Sequence, residues 1–165
     1  ALAATLAALD DVRGALEGGD PGKAKAIFTA LLKSQEGLWA AFVFDLQGKV
    51  VAGTNAKGAD MAGADRSSRD YAQAIIGGKR SYISPSILQA KSGTGKMPIF
   101  ALAAAVTDAQ GKIIGGVGMF PMWEAFTAAF LDPVRFGKRG YPFMLDRKGQ
   151  IIAHATDKEI GRAHV

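Results

Sequence analysis

Cysteine is absent from the 165 residues, which excludes thiolate metal centres, a cysteine nucleophile and disulfides, and fits either the cytoplasm or a bacterial periplasm. Histidine occurs only as His154 and His164, without HExxH-type spacing and with no thiolate to complete a tetrahedral site, so no metal is expected. There is no Gly-x-Ser-x-Gly elbow of the kind that presents a serine nucleophile. No apolar run approaches the ~18 residues of a spanning helix. A basic n-region and a cleavage motif are also missing, so the chain reads as an excised domain whose parent protein can still be membrane-attached. Aromatic residues are scarce, 8% against 48% hydrophobic. The apolar mass is therefore Ala, Ile, Leu and Val, and with 21 glycines it suggests close backbone packing rather than a large aromatic core. Lys and Arg number 20 against 15 acids, a net charge of +5, but the excess is spread along the chain apart from Arg135, Lys138 and Arg139, and no nucleic-acid motif accompanies it.

What is present is a recurring unit. Asp45-x-x-Gly48, Asp108-x-x-Gly111 and Asp146-x-x-Gly149 are each preceded by an apolar run and followed by Lys or Gln and a β-branched pair. An Asp that accepts hydrogen bonds from the turn backbone, followed three residues on by a Gly tolerant of positive φ, signals a hairpin. The copies are unevenly spaced, which excludes a fixed-period solenoid or propeller and leaves hairpins of a mixed α/β sheet. Turn geometry accounts for all three acids, so paired-carboxylate catalysis has no support of its own, and neither an enzyme nor a cofactor is expected.

Leu2, Leu6, Leu9, Val12 and Leu16 recur at helical spacing. Gly18-Gly19 interrupts the pattern, and Asp20-Pro21 supplies an N-cap and a first helical residue for a second helix through Ile27, Phe28, Leu31 and Leu32. The seam of this stalk is expected to lie on its own sheet in preference to forming a two-chain coiled coil. Residues 38–44 are almost wholly apolar, the mark of a strand covered on both faces. Residues 53–63 read as a shapeless polar loop. Ser67-x-x-Asp70 has the form of a capping box opening a short helix through Tyr71, Ala74 and Ile75, which Gly77-Gly78 closes. A short strand over 80–84 follows. Residues 90–97 come close to a phosphate-binding loop, but Ala90 and Met97 stand where Gly and Ser or Thr are required and a strand follows, so a plain loop is read there.

Residues 97–107 and 112–120 form the central hairpin. Alternation puts Phe100, Leu102, Ala104 and Val106 on one face and Ile99, Ala101, Ala103 and Ala105 on the other. With Gly115, Gly116 and Gly118 on the paired strand, the small face leaves room for a ligand or for close approach of the stalk. Pro121 is read as opening a helix carrying Met122, Trp123, Phe126, Phe130 and Leu131 on one face, stopped by Asp132-Pro133. The third hairpin, 141–154, either joins the first sheet or opens a second, incomplete module.

Arg69 stands apart from these structural readings. Placed in the first turn of a short helix, with Tyr71 beyond it and Tyr82 on the next strand, its guanidinium could grip a carboxylate bidentately between aromatic walls. The competing reading is a surface pair with Asp65 or Asp70.

The order of Asp45-x-x-Gly48, Gly63 followed by Arg69-Asp70-Tyr71, Pro98-Ile99-Phe100 and Asp108-x-x-Gly111-Lys-Ile-Ile-Gly115 resembles the Cache family of extracytoplasmic sensor domains. The later Gly137-x-x-Gly140-Tyr141 with Asp146-x-x-Gly149, His154 and Ile160-Gly161 resembles the opening of the membrane-proximal module of its double-Cache type. The resemblance implies an α/β (α+β) fold, a PAS-like antiparallel sheet packed on a long N-terminal helix, with a stalk over 1–35, a ligand-binding module over 36–134, and a linker with the first hairpin of a second module over 135–165. It implies a periplasmic, non-enzymatic ligand-sensing part of a transmembrane chemotaxis or signalling receptor, homodimeric in its parent protein. Amino-acid-binding members have an Arg matching Arg69 and an aromatic matching Tyr71, but their next aromatic falls at Ala72, and their ammonium-holding Asp at Met119 or Phe120. An organic acid is therefore the expected ligand in preference to an amino acid. The expected contacts are Arg69 for its anionic end, Tyr71 and Tyr82 for the walls, and Phe100, Met119 and Phe120 beside them. The alternatives are a ligand-free structural or dimerisation module whose pocket is filled by side chains, and a cytoplasmic PAS-like accessory domain.

Overall fold

The computed structural model describes residues 2–90, 97–134, 137, 140–146, 149 and 151–154. The loop read over 91–96, the basic residues Arg135, Lys138 and Arg139, the Ile160-Gly161 pair and His164 lie outside the described residues. In chain order the elements are α1 (Leu2–Ala7), α2 (Asp10–Leu16), α3 (Pro21–Ser34), β1 (Leu38–Asp45), β2 (Val50–Asn55), α4 (Asp70–Ile76), β3 (Ser81–Ile83), β4 (Leu88–Gln89), β5 (Pro98–Ile99), β6 (Leu102–Thr107), β7 (Ile113–Pro121), α5 (Trp123–Phe130), β8 (Phe143–Leu145) and β9 (Ile151–His154). They fall into two compact units, Ala1–Ser84 with Ala101–Pro121, and Pro85–Phe100 with Met122–Val165.

The first unit is an antiparallel five-stranded sheet in the order β2-β1-β7-β6-β3. Its two central hairpins are the predicted ones. Asp45 Oδ1 accepts from the N–H groups of Gln47 and Lys49, and Asp108 Oδ1 from those of Gln110 and Lys112, each at 2.9 Å. β1 is buried along nearly its whole length, as its continuous apolar run requires.

The helices on one face of the sheet differ from the expected stalk. The first helical stretch is two helices, because Leu9 is extended and α2 begins afresh with Asp10 and Asp11 in its first turn. Two adjacent acids are better placed at a helix N-terminus, facing its positive end, than inside a helix. α3 starts as read, with the Asp20 side chain accepting from the Gly22 N–H and Pro21 in the first turn. α1 lies across β6 and β7 and α3 across β1 and β2. Leu6, Val12 and Phe28 there bury against Ala41, Val43, Ala104, Val106, Val117 and Met119.

Residues 53–63, expected to be a shapeless loop, are not one: 53–55 complete β2, and 59–64 return along its outer edge. Met61 N–H donates to Gly53, Gly63 N–H to Val50, and Val50 N–H to Ala64. The turn that sends them back is fixed by Asn55, whose side-chain oxygen accepts from the N–H groups of Lys57 and Ala59.

In the second unit β4 pairs with β5, and β8 with β9 as a separate two-stranded sheet. The strand expected over 97–107 is therefore two strands belonging to different units. Pro121 ends β7 opposite Leu38 and does not open the following helix, whose N-cap is Met122. Trp123 Nε1 donates to the Ile152 carbonyl at 2.9 Å, tying α5 to the β8–β9 hairpin.

Candidate functional site

The other face of the five-stranded sheet is built from rings on glycine. Strand pairing aligns Gly53, Phe42, Gly118, Ala103 and Tyr82 in one row, and Phe44, Gly116 and Ala105 in the next. Side chains directly opposite in antiparallel strands share a face. Phe42 stacks on Phe120 with ring centroids 4.8 Å apart. Tyr71, from α4, meets Phe120 edge-on at 5.0 Å and Phe44 at 6.0 Å. The glycines make this possible: a Cβ at Gly118 would stand 2.8 Å from the Phe120 ring, and one at Gly116 2.6 Å from the Phe44 ring. Gly115 faces the other way, where Leu16 of α2 fills its space. The small face of the central hairpin thus receives rings and α4, and the stalk packs on the opposite face.

Arg69 enters from the loop before α4. The capping box read at Ser67 does not form, because the Ser67 N–H donates to the Asp65 carboxylate at 2.8 Å. The helix starts at Asp70 with Arg69 as its extended N-cap residue. The loop is held against the first hairpin turn, where Arg66 N–H donates to the Gly48 carbonyl at 2.8 Å. Gly48 has φ +77° and a Cβ there would lie 2.5 Å from Ser67 Cα, so glycine serves both the turn and the docking of the loop on it. This docking brings Arg66, which sequence reasoning passed over, to 6.0 Å above the Phe42 ring, within cation–π range. Only the folded loop reveals it; in sequence Arg66 is one more basic residue.

The electrostatics of Tyr71 register both arginines. Burial pushes its phenol well above the usual range, and the charges of Arg66 and Arg69 oppose that shift. Tyr82 is half-buried on the same sheet face, and its phenol is raised by burial and by the Asp70 carboxylate. Tyr71, Phe120 and Tyr82 therefore share one face, with Arg66 and Arg69 beside Tyr71. Met119 does not: as the neighbour of Phe120 in a strand it points to the opposite side, into the helix-covered core, 2% exposed. Phe100 belongs to the second unit, in an edge-to-face cluster with Trp123 and Phe126. Among the described residues no group of three or more His, Asp or Glu side chains is placed to hold a metal, and no helix is long and apolar enough to cross a membrane.

No protein-family profile matches the chain, and no curated protein matches it. Solved structures do. A domain of a sensory box/GGDEF family protein from Vibrio parahaemolyticus aligns with a TM-score of 0.72 at 12% identity, covering 96% of this chain and 63% of that one. The sensor domain of Escherichia coli DcuS aligns at 0.61 and 20% identity, over 77% and 87%. The ligand-binding domain of the Campylobacter jejuni chemoreceptor Tlp3, in complex with 4-methylisoleucine, aligns at 0.67 and 16% identity, over 87% and 54%. The chain has the Cache/PAS-like fold of these sensor and ligand-binding domains. It spans about 63% of the length of the Vibrio domain.

Proposed function

We propose that this chain is the extracytoplasmic ligand-sensing part of a membrane-anchored chemotaxis or signal-transduction receptor, non-enzymatic, and homodimeric in its parent protein. Its ligand is a small carboxylate gripped by Arg69, with Arg66 alongside and Tyr71, Phe120 and Tyr82 as walls. The observation that carries the reading is Arg66 over the Phe42 ring, with Arg69 at the start of the helix that carries Tyr71, on a ring-lined sheet face, in a fold shared with ligand-binding sensor domains. Phe120 stacks on Phe42 where an acid would be needed to hold an ammonium group, which supports an organic acid over an amino acid.

A thermal-shift screen against small carboxylates, amino acids and amines, with Arg69→Ala in parallel, tests this. A ligand at ~100 times its Kd adds about 2.7 kcal/mol, moving the midpoint by roughly 2 to 8 °C. The expected hit is a carboxylate, lost in Arg69→Ala. A hit unaffected by the substitution keeps the sensor and moves the site. One observation favours a second reading, a structural module with its pocket filled: Phe42, Phe44, Tyr71 and Phe120 are each at most 3% exposed and occupy the space over Gly116 and Gly118. A cooperative melt that no compound shifts would select that reading.

A further inference from the structure

We propose that the start of β1 carries a separate anion-recognition site, in which the Trp39 indole N–H and the Lys57 ammonium together hold a small carboxylate. Trp39 is 4% exposed, and its buried Nε1 has no hydrogen-bond partner among the described residues. A buried donor without an acceptor is costly and rare in folded proteins.

Two local devices bring the indole ring and the ammonium together. The pairing of β1 with β7 shifts register between Leu38 and Ala40, so Trp39 is the extra residue of a bulge, the irregularity that redirects a side chain out of strand alternation. Lys57 comes from the turn after β2. Asn55, 5% exposed, accepts at 3.0 Å from the N–H groups of Lys57 and Ala59. The Ala56 N–H donates to the Trp39 carbonyl at 2.7 Å, and Gly58 turns the chain at φ +77°. The result places Lys57 Nζ 5.9 Å from the Trp39 ring centroid. An N–H and an ammonium at one aromatic ring are two donors, and the two oxygens of a carboxylate can accept from both.

The site is independent of the one at Arg69. Trp39 precedes Phe42, the ring beneath Arg66, by three positions on β1, roughly 10 Å along the strand. Either can fail without the other.

Indole N–H resonances of the ¹⁵N-labelled 165-residue chain test the proposal during titration with acetate, propionate and pyruvate at constant ionic strength set with chloride. Trp123 is the internal control, since its Nε1 already donates to the Ile152 carbonyl, and Trp39→Phe assigns the peaks. The expected result is a saturable downfield shift of the Trp39 indole proton with the Trp123 peak fixed, and binding about five- to tenfold weaker in Lys57→Gln. The absence of a saturable Trp39 shift with all three carboxylates overturns the proposal. So does unchanged affinity in Lys57→Gln, or a Trp39 indole that already resonates as hydrogen-bonded in the free protein. Repeating the titration in Arg69→Ala separates the two sites: the Trp39 response is expected to persist, and its loss would mean that only the Arg69 site exists.

Discussion

The two faces of the five-stranded sheet are made by different means. On one, aliphatic side chains of β1, β6 and β7 interlock with those of α1, α2 and α3. On the other, Gly116 and Gly118 remove side chains from the centre of β7 so that Phe42, Phe44, Phe120 and Tyr71 can lie down over it. The first face is a core in which neighbours fill one another's gaps. The second is a seat whose shape depends on the absence of two Cβ atoms, and one loop brings Arg66 over the Phe42 ring. Packing there rests on ring contacts with specific geometry, and the charges of Arg66 and Arg69 act on the buried Tyr71 phenol.

The largest test of this contrast is the pair Phe28→Ala and Phe44→Ala. Both rings are fully buried, so each truncation is expected to cost about 3 to 5 kcal/mol in denaturant unfolding. A cost near zero for Phe44→Ala alone would mean that the ring face is a loose lining and not a second core. A smaller effect is expected from Gly118→Ala, whose Cβ would press on Phe120; overpacking of this kind costs roughly 1 to 3 kcal/mol, with near-ultraviolet circular dichroism reporting displaced rings. The smallest is a pH effect. Burial raises the Tyr71 pKa while the unfolded phenol ionises near ~10, so the folded state holds its proton longer. The stability so conferred is complete below about pH 10 and is lost as pH rises beyond it. Tyr71→Phe is expected to flatten that alkaline limb in unfolding curves measured against pH.

Much of the fold was legible because its signals are local. The Asp-x-x-Gly turns, the Asp20-Pro21 helix start and the doubly buried β1 each follow from a few adjacent residues. The break at Leu9 was not, since the leucine spacing runs across it and the preference of Asp10 and Asp11 for a helix start decides the matter. Ser67 was misread as a cap because Asp65, two residues earlier, captures its N–H, a competition the four-residue pattern does not contain. Tyr71 and Tyr82 were singled out by their nearness to Arg69 in the chain and Phe120 through the family resemblance, and the fold sets all three on the ring-bearing side of the sheet. Met119 illustrates the limit of that reasoning: adjacent strand residues cannot both line one face. Arg66 and the Trp39–Lys57 pair were invisible because each depends on two segments meeting, the first through the docking of 65–69 on Gly48 and the second through a bulge.

The return of residues 59–64 along β2 has a consequence for the company the protein keeps. An exposed strand margin invites another chain to extend the sheet, and short or covered margins deny it. Here one margin is already paired with its own chain and the other, β3, is three residues long. A sheet so bounded offers a neighbour's strand little margin to extend, so copies brought together meet through other surfaces than the ends of this sheet.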